Sequence, residues 1–225
     1  LLPIYLRDEA YISHSATLGW TLNPGTQKSN YRINDQGIRS DQAYKPQVQD
    51  RTIRVTTFGD SFTFGDEVGD SETWQSQMEE FDAQLQVLNF GVSGYGLDQA
   101  YLRYLHDGRK FQTKYVLIGL MTSDIQRHVN VFRPFFHSYT GLPLSKPRFL
   151  IEADSIRLIP NPLSSKEAYW HYLDDDAPSL AALGAYDAHY QNNYGKSRLD
   201  YSPTLRLLKV IRHEFKKQGQ SNAIV

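Results

Sequence analysis

Two kinds of hydrophobic pattern alternate through the middle of the chain. Ile53-Arg54-Val55-Thr56-Thr57-Phe58 is a β-branched run that favours a pleated strand, and Gly59-Asp60-Ser61 breaks it. Glu72 to Phe81 can form a helix, with its start expected near Ser71. Leu85-Gln86-Val87-Leu88-Asn89-Phe90 reads as a second strand and runs into Gly91-Val92-Ser93-Gly94-Tyr95-Gly96. Asp98 is placed to cap a helix over Gln99 to Arg109. Tyr115-Val116-Leu117-Ile118-Gly119-Leu120 is continuously apolar, as a strand buried on both faces should be, and Thr122-Ser123-Asp124 opens a further helix. Strand, helix, strand, helix, strand predicts parallel strands, right-handed crossovers and helices on both faces. The expected fold class is therefore α/β: a three-layer α/β/α arrangement on a flavodoxin-like parallel sheet. The loops at Ser61, Gly94 and Ser123 then leave one edge of the sheet, where open α/β sheets bind ligands.

The flanks are different. Residues 1–52 read as an irregular leader packed on the core, with a Pro24-Gly25 turn, a hairpin-like alternation over Tyr31 to Arg39 and a polar linker from Gln42 to Asp50. The main domain is expected over 53–225. Within it, residues 131–203 interrupt the strand–helix rhythm with prolines at 134, 143, 147, 160 and 162. Arg148 to Glu152 and Ser155 to Ile159 flank Ala153-Asp154 as a hairpin, inside an insertion that is either a lid over the active edge or a structural excursion. Thr204 to Phe215 returns to helical periodicity, and Asn222-Ala223-Ile224-Val225 resembles the start of another core strand, so a continuation past Val225 is expected.

Composition narrows the chemistry. The chain has 225 residues, 40% hydrophobic, enough for one sizeable core. A net charge of −1 with scattered Lys and Arg leaves no basic footprint for nucleic acid. With no cysteine, disulfides, thiolate catalysis and Cys-ligated metals are excluded. No apolar run approaches the roughly 20 residues of a membrane span. No metal-ligand spacing such as His-x-x-x-His occurs, and no cofactor is expected; the loop at 91–96 is Gly-x-x-Gly-x-Gly rather than the dinucleotide pattern Gly-x-Gly-x-x-Gly.

A serine at the end of a strand is held rigidly and has backbone N–H groups nearby to face an oxyanion. It still needs a base to become a nucleophile. Asp60 is read as a local brace, accepting from loop N–H groups. Beyond this reading, the residues carry a resemblance. Gly59-Asp60-Ser61-Phe62, Asn89-Phe90-Gly91-Val92-Ser93-Gly94 and Val116 to Asp124 resemble, in order, three blocks of the SGNH (GDSL-type) hydrolases, and Leu18-Gly19-Trp20 resembles the leader of a bacterial branch of poorly assigned function. The resemblance covers Ile53 to Asp124. It implies Ser61 as nucleophile, the Gly94 N–H as oxyanion donor, and Ser123 as a weaker donor where the family places asparagine. It implies a serine esterase acting on small-molecule or glycan esters, O-acetylated carbohydrate among them, in an extracytoplasmic location. The alternative is a non-catalytic or acyl-transferring member that binds a glycan or a protein partner. The family's Asp-x-x-His block has no match in the chain. His14, His106, His128, His137, His171, His189 and His213 are each read as surface or packing residues, with His137, His171 and His189 the ones to test as substitute bases.

Overall fold

The computed structural model describes residues 11–49, 51–138, 143–152, 155–169, 177–218 and 221–224. In chain order its elements are β1 (Ile12–Ser15), β2 (Gly19–Leu22), β3 (Ile53–Phe58), α1 (Ser61–Phe64), α2 (Trp74–Phe81), β4 (Leu85–Asn89), α3 (Leu97–His106), β5 (Tyr115–Ile118), α4 (Thr122–His128), α5 (Arg133–Phe136), β6 (Arg148–Glu152), β7 (Ser155–Ile159), α6 (Ala177–Gly184), α7 (Ala188–Asn193), α8 (Ser202–Lys217) and β8 (Ser221–Ile224). The main sheet runs β4-β3-β5-β8, and every pairing in it is parallel. Numbered by appearance in the sheet, that is the order 2-1-3-4 of a flavodoxin-like doubly wound fold.

Successive side chains on a strand point to opposite faces, and β3 shows what covers each. Thr57 Oγ1 accepts a hydrogen bond from Gln75 Nε2 of α2 at 3.2 Å. The next residue, Phe58, stacks on Phe90 at 4.9 Å and meets Tyr104 of α3 edge-on at 5.6 Å. Phe215, near the end of α8, packs on Tyr104 at 4.7 Å. Helices thus cover both faces, and the architecture is three-layer α/β/α. Each of these rings is almost fully buried, which stabilises the fold by about 1.5–3 kcal/mol per ring before ordering costs.

The chain forms two compact units. One comprises Leu22–Met121 with Ile211–Val225; the other comprises Leu1–Thr21 with Thr122–Val210. In the first unit the later part of the leader is core material: Leu22, Ile33 and Ile38 are buried, and Arg103 Nη2 donates to Gly37 O at 2.6 Å. Arg39 N donates to Asn89 O at 3.0 Å, and Val87 N donates to Glu79 Oε1 at 2.5 Å, so the outer edge of β4 is closed to other strands. The alternation over Tyr31 to Arg39 yields isolated bridges, Gln27 with Arg32 and Ile33 with Arg39, rather than a continued hairpin, and Arg39 also bridges to Asn89. In the second unit β6 and β7 form the expected antiparallel hairpin, with Arg148 opposite Ile159 and Glu152 opposite Ser155. Its turn, Ala153-Asp154, lies outside the described residues.

Two helix starts differ from expectation. A short 3₁₀ turn over Asp70–Glu72 precedes α2, which begins at Trp74 because Thr73, not Ser71, accepts from Ser76 N. Helix α3 begins at Leu97, two residues early: Gly96 is extended and its N–H donates to the side chain of Gln99, which leaves Asp98 buried inside the first turn.

Candidate active site

Ser61 is the first residue of a single helical turn. Asp60 precedes it in an extended conformation, its Oδ1 accepting from Phe62 N at 3.0 Å and its carbonyl from Phe64 N at 2.8 Å. The bracing role expected of Asp60 is therefore what its carboxylate does. Gly65, at φ 86°, closes the turn by donating to Ser61 O at 2.7 Å; a left-handed backbone of this kind favours glycine. Ser61 itself is half-buried, and its hydroxyl has no hydrogen-bond partner among the described residues. Phe62, beside it, is 70% exposed.

The ends of three strands close on this turn, each at a glycine. A Cβ on Gly91 would sit 2.7 Å from Thr63 C and 2.8 Å from Phe64 Cα, both backbone atoms. A Cβ on Gly119 would lie 2.5 Å from Thr63 Oγ1, and one on Gly59 3.0 Å from Thr63 Cβ. The loop after β4 approaches the Thr63–Phe64 backbone, and the loops after β3 and β5 approach the Thr63 side chain, more closely than an added Cβ allows.

The carbonyls at the far end of the turn are met by side chains from elsewhere in the unit. Gln75 Nε2 donates to Thr63 O at 2.7 Å. Asn89 Nδ2 donates to Phe64 O at 3.1 Å while its Oδ1 accepts from Gly91 N at 2.9 Å. Arg39 Nη1 donates to Phe64 O at 2.7 Å and to Gly65 O at 2.5 Å.

The loop carrying Gly94 is tied to the same turn. Val92 N donates to Gly59 O at 3.0 Å, and Ser93 Oγ donates to Asp66 Oδ1 in a short hydrogen bond. Asp66 N in turn donates to Ser61 O at 3.2 Å. Gly94 has φ 81°. Neither the Ser61 nor the Gly94 N–H has an acceptor among the described residues, as expected of the first amide of a helix in the case of Ser61. Desolvation raises the Asp66 carboxyl above its ordinary value, against the Ser93 hydrogen bond and the Arg39 charge, which lower it; Asp60 and Glu67 add to the rise. A cavity of about 400 Å³ is lined by Ser61, Phe62, Asp66, Glu67, Glu72 and Trp74. A second, mostly apolar, of about 640 Å³, shares Phe62 and Trp74 and extends to Met78, Leu117 and Leu120.

Ser61 and Gly94 are thus brought into one unit and joined through Asp66. Ser123 belongs to α4, in the other unit; its hydroxyl oxygen is buried without a hydrogen-bond partner among the described residues, beside an Asp124 that is paired with Arg127 at 2.9 Å. His14 Nε2 donates to Leu163 O at 2.9 Å and His189 Nε2 to Gln126 O at 3.2 Å. His128 is bonded to Thr204 Oγ1 at 2.8 Å, and burial pushes its imidazole well below the ordinary range, so it is neutral. His106 pairs with Asp107 at 3.0 Å on the surface. His137 packs against Phe136, and His213 is exposed on α8. His171 lies outside the described residues. Among the described residues no group of three or more His, Asp or Glu side chains is arranged to hold a metal, and no helix is long and apolar enough to cross a membrane.

Four residues of this site carry no functional expectation from sequence: Arg39, Asp66, Gln75 and Asn89. Asn89 sits in the second block, so it had a positional signal. Nothing in the spacing of Arg39 or Gln75 links them to a turn formed more than ten residues away. No family model matches the chain, and no curated protein matches its sequence.

Proposed function

We propose that the chain is a serine acyl-hydrolase domain of the SGNH (GDSL-type) kind, with Ser61 as nucleophile. The observation that carries the reading is a serine whose hydroxyl is uncommitted, on a turn fixed by three glycine contacts and three side chains, tied to a loop that holds a second free N–H at Gly94. A serine so placed attacks an ester carbonyl; the proton leaves Oγ for a base, the Ser61 and Gly94 N–H groups meet the oxyanion, and the alkoxide of the substrate departs to leave an acyl-enzyme that water hydrolyses. The base this reading calls for is an imidazole of the Asp-x-x-His type. The described histidines with hydrogen bonds have them to other groups. Carboxylic esters are the substrate class; O-acetylated carbohydrate follows from the resemblance alone.

Ser123, where the family has asparagine, favours a second reading: a relative that binds a glycan or protein partner without turnover. Fluorophosphonate labelling read by intact mass separates the two, on this chain and on a C-terminally extended form, with Ser61→Ala as control. Labelling lost in Ser61→Ala supports the hydrolase. If this chain alone is labelled, a base lies within it, and His137, His171 and His189 are the positions to substitute. No labelling of either folded form sinks the catalytic reading in favour of binding.

A further inference from the structure

A four-residue helical turn is too short to hold itself, since forming the first turn fixes several backbone angles for one hydrogen bond. The position of Ser61 is therefore set from outside α1. Arg39 makes more of those outside contacts than any other side chain described. Its Nε donates to Asp70 Oδ1 at 3.0 Å, Nη1 to Phe64 O at 2.7 Å and Gly65 O at 2.5 Å, and Nη2 to Val68 O at 2.7 Å and Asn30 O at 3.5 Å. The guanidinium lies 4.7 Å from the centre of the Phe64 ring and 5.5 Å from that of Tyr31. Its side chain is 1% exposed, while its salt-bridge partner, Asp70, is 34% exposed. Backbone dipoles and aromatic faces carry the rest of the charge's solvation. Removing a cation from water costs several kcal/mol unless every donor is met, and a planar fork of five N–H groups can meet a curved row of carbonyls where an ammonium cannot.

We infer that Arg39 is a positioning residue for Ser61, acting through the Phe64–Val68 backbone and never touching substrate. The inference rests on the hydrolase reading for its catalytic consequence. It gives the leader a role: the residue whose backbone N–H pairs with Asn89 O at the end of β4 also grips the far end of the nucleophile turn. The residues lining the cavity beside Ser61 do not include Arg39, and Arg39→Lys keeps the charge that acts on Asp66, so the lysine variant isolates the effect of the lost backbone contacts.

The test uses Arg39→Lys and Arg39→Gln in the form of the protein that labels with fluorophosphonate. Arg39→Lys keeps the charge and loses the fork. Its limiting labelling rate should fall on the order of 100-fold, the cost of about 1 Å of misplacement, with the half-saturating probe concentration little changed. Amide hydrogen exchange should quicken at Gly65 and Asp66, which donate to Ser61 O, and stay as it was across Ile53–Phe58. Wild-type labelling in Arg39→Lys overturns the inference. So does a loss of labelling accompanied by an equal rise in exchange across the whole unit, which marks general destabilisation. If the wild-type protein does not label, the hydrolase reading falls and exchange still decides: acceleration confined to the turn upholds the grip of Arg39 on it, and unchanged exchange there refutes it. Should Arg39→Gln fail to fold, the lysine variant carries both measurements.

Discussion

Two regions, each within its own unit, solve opposite halves of the same backbone problem. At the Ser61 turn the groups needing partners are carbonyls, and three side chains distant in sequence share them: Gln75 on Thr63 O, Asn89 and Arg39 on Phe64 O, Arg39 again on Gly65 O. Around Asp187 the groups needing partners are donors, and one carboxylate takes them all. Its Oδ1 accepts from His189 N at 2.9 Å and Tyr190 N at 3.0 Å, and its Oδ2 from Val131 N at 2.5 Å, Phe132 N at 3.0 Å and Asn130 Nδ2 at 2.7 Å. A carboxylate can gather many donors because it has about four lone-pair sites, whereas a carbonyl row must be reached one donor at a time. The first arrangement is distributed and the second concentrated at a single residue. They should fail differently.

The concentrated region should fail hardest. Asp187 is fully buried, so Asp187→Ala leaves several buried donors unmet, each costing about 1–3 kcal/mol; a loss upwards of about 3 kcal/mol is expected in denaturant titration. Asp187→Asn sharpens the point. It keeps an acceptor for one pair of amides but turns an N–H₂ on the other donors, so it should be closer to alanine than to wild type. An asparagine variant as stable as wild type would show that the donors are not the reason for the residue.

In the distributed region the largest single effect belongs to a glycine. Gly91→Ala forces a Cβ into the Thr63–Phe64 backbone, which cannot swing away as a side-chain tip would. About 1–3 kcal/mol of stability should be lost, and Ser61 labelling should drop even where the protein is folded. Normal labelling with reduced stability would mean that the turn adjusts without moving Ser61. Asn89→Ala should cost less, about 1 kcal/mol. Phe64 O keeps its bond from Arg39, and only Gly91 N is left without an acceptor. If Asn89→Ala proves as damaging as Asp187→Ala, the sharing of carbonyls gives no protection and the contrast between the regions collapses.

These differences also explain what could be read in advance. The parallel sheet was legible because β-branched runs alternate with glycine-closed loops, a pattern local to each element; strand limits at Ile53–Phe58 and Tyr115–Ile118 match or nearly match their apolar runs. The loops carrying Ser61 and Gly94 were legible because each follows an apolar run that ends at glycine, whereas the roles proposed for the two residues come from the resemblance. Asp187 had a local signal too: an aspartate immediately before a helical segment is a common N-cap, and α7 starts at Ala188. The aspartate bonds the backbone of His189, and the ring of that histidine bonds Gln126 O. Arg39 had no such signal. It lies in a leader read as irregular, and its partners, residues 64–70, become neighbours only when the turn folds back beneath β4's end.

The smallest predicted effect tests whether the link from the Ser61 turn to the Gly94 loop depends on charge. Asp66 accepts from Ser93 Oγ, and its carboxyl is raised chiefly by desolvation. Between its unfolded value and this raised folded value, the folded protein binds more protons than the unfolded chain. Stability therefore falls as pH rises through that window and levels off above it. Asp66→Asn removes the ionisation and keeps an oxygen for Ser93 and the backbone N–H for Ser61 O. The variant should match wild type below the ordinary carboxylate range, gain on it as pH climbs through the window, and hold a small advantage at neutral pH. Labelling at Ser61 should be unchanged if geometry alone joins the two loops. A stability difference that does not vary with pH would mean that Asp66 does not titrate in this window. A loss of labelling in Asp66→Asn would make the negative charge itself part of how the Gly94 loop is held.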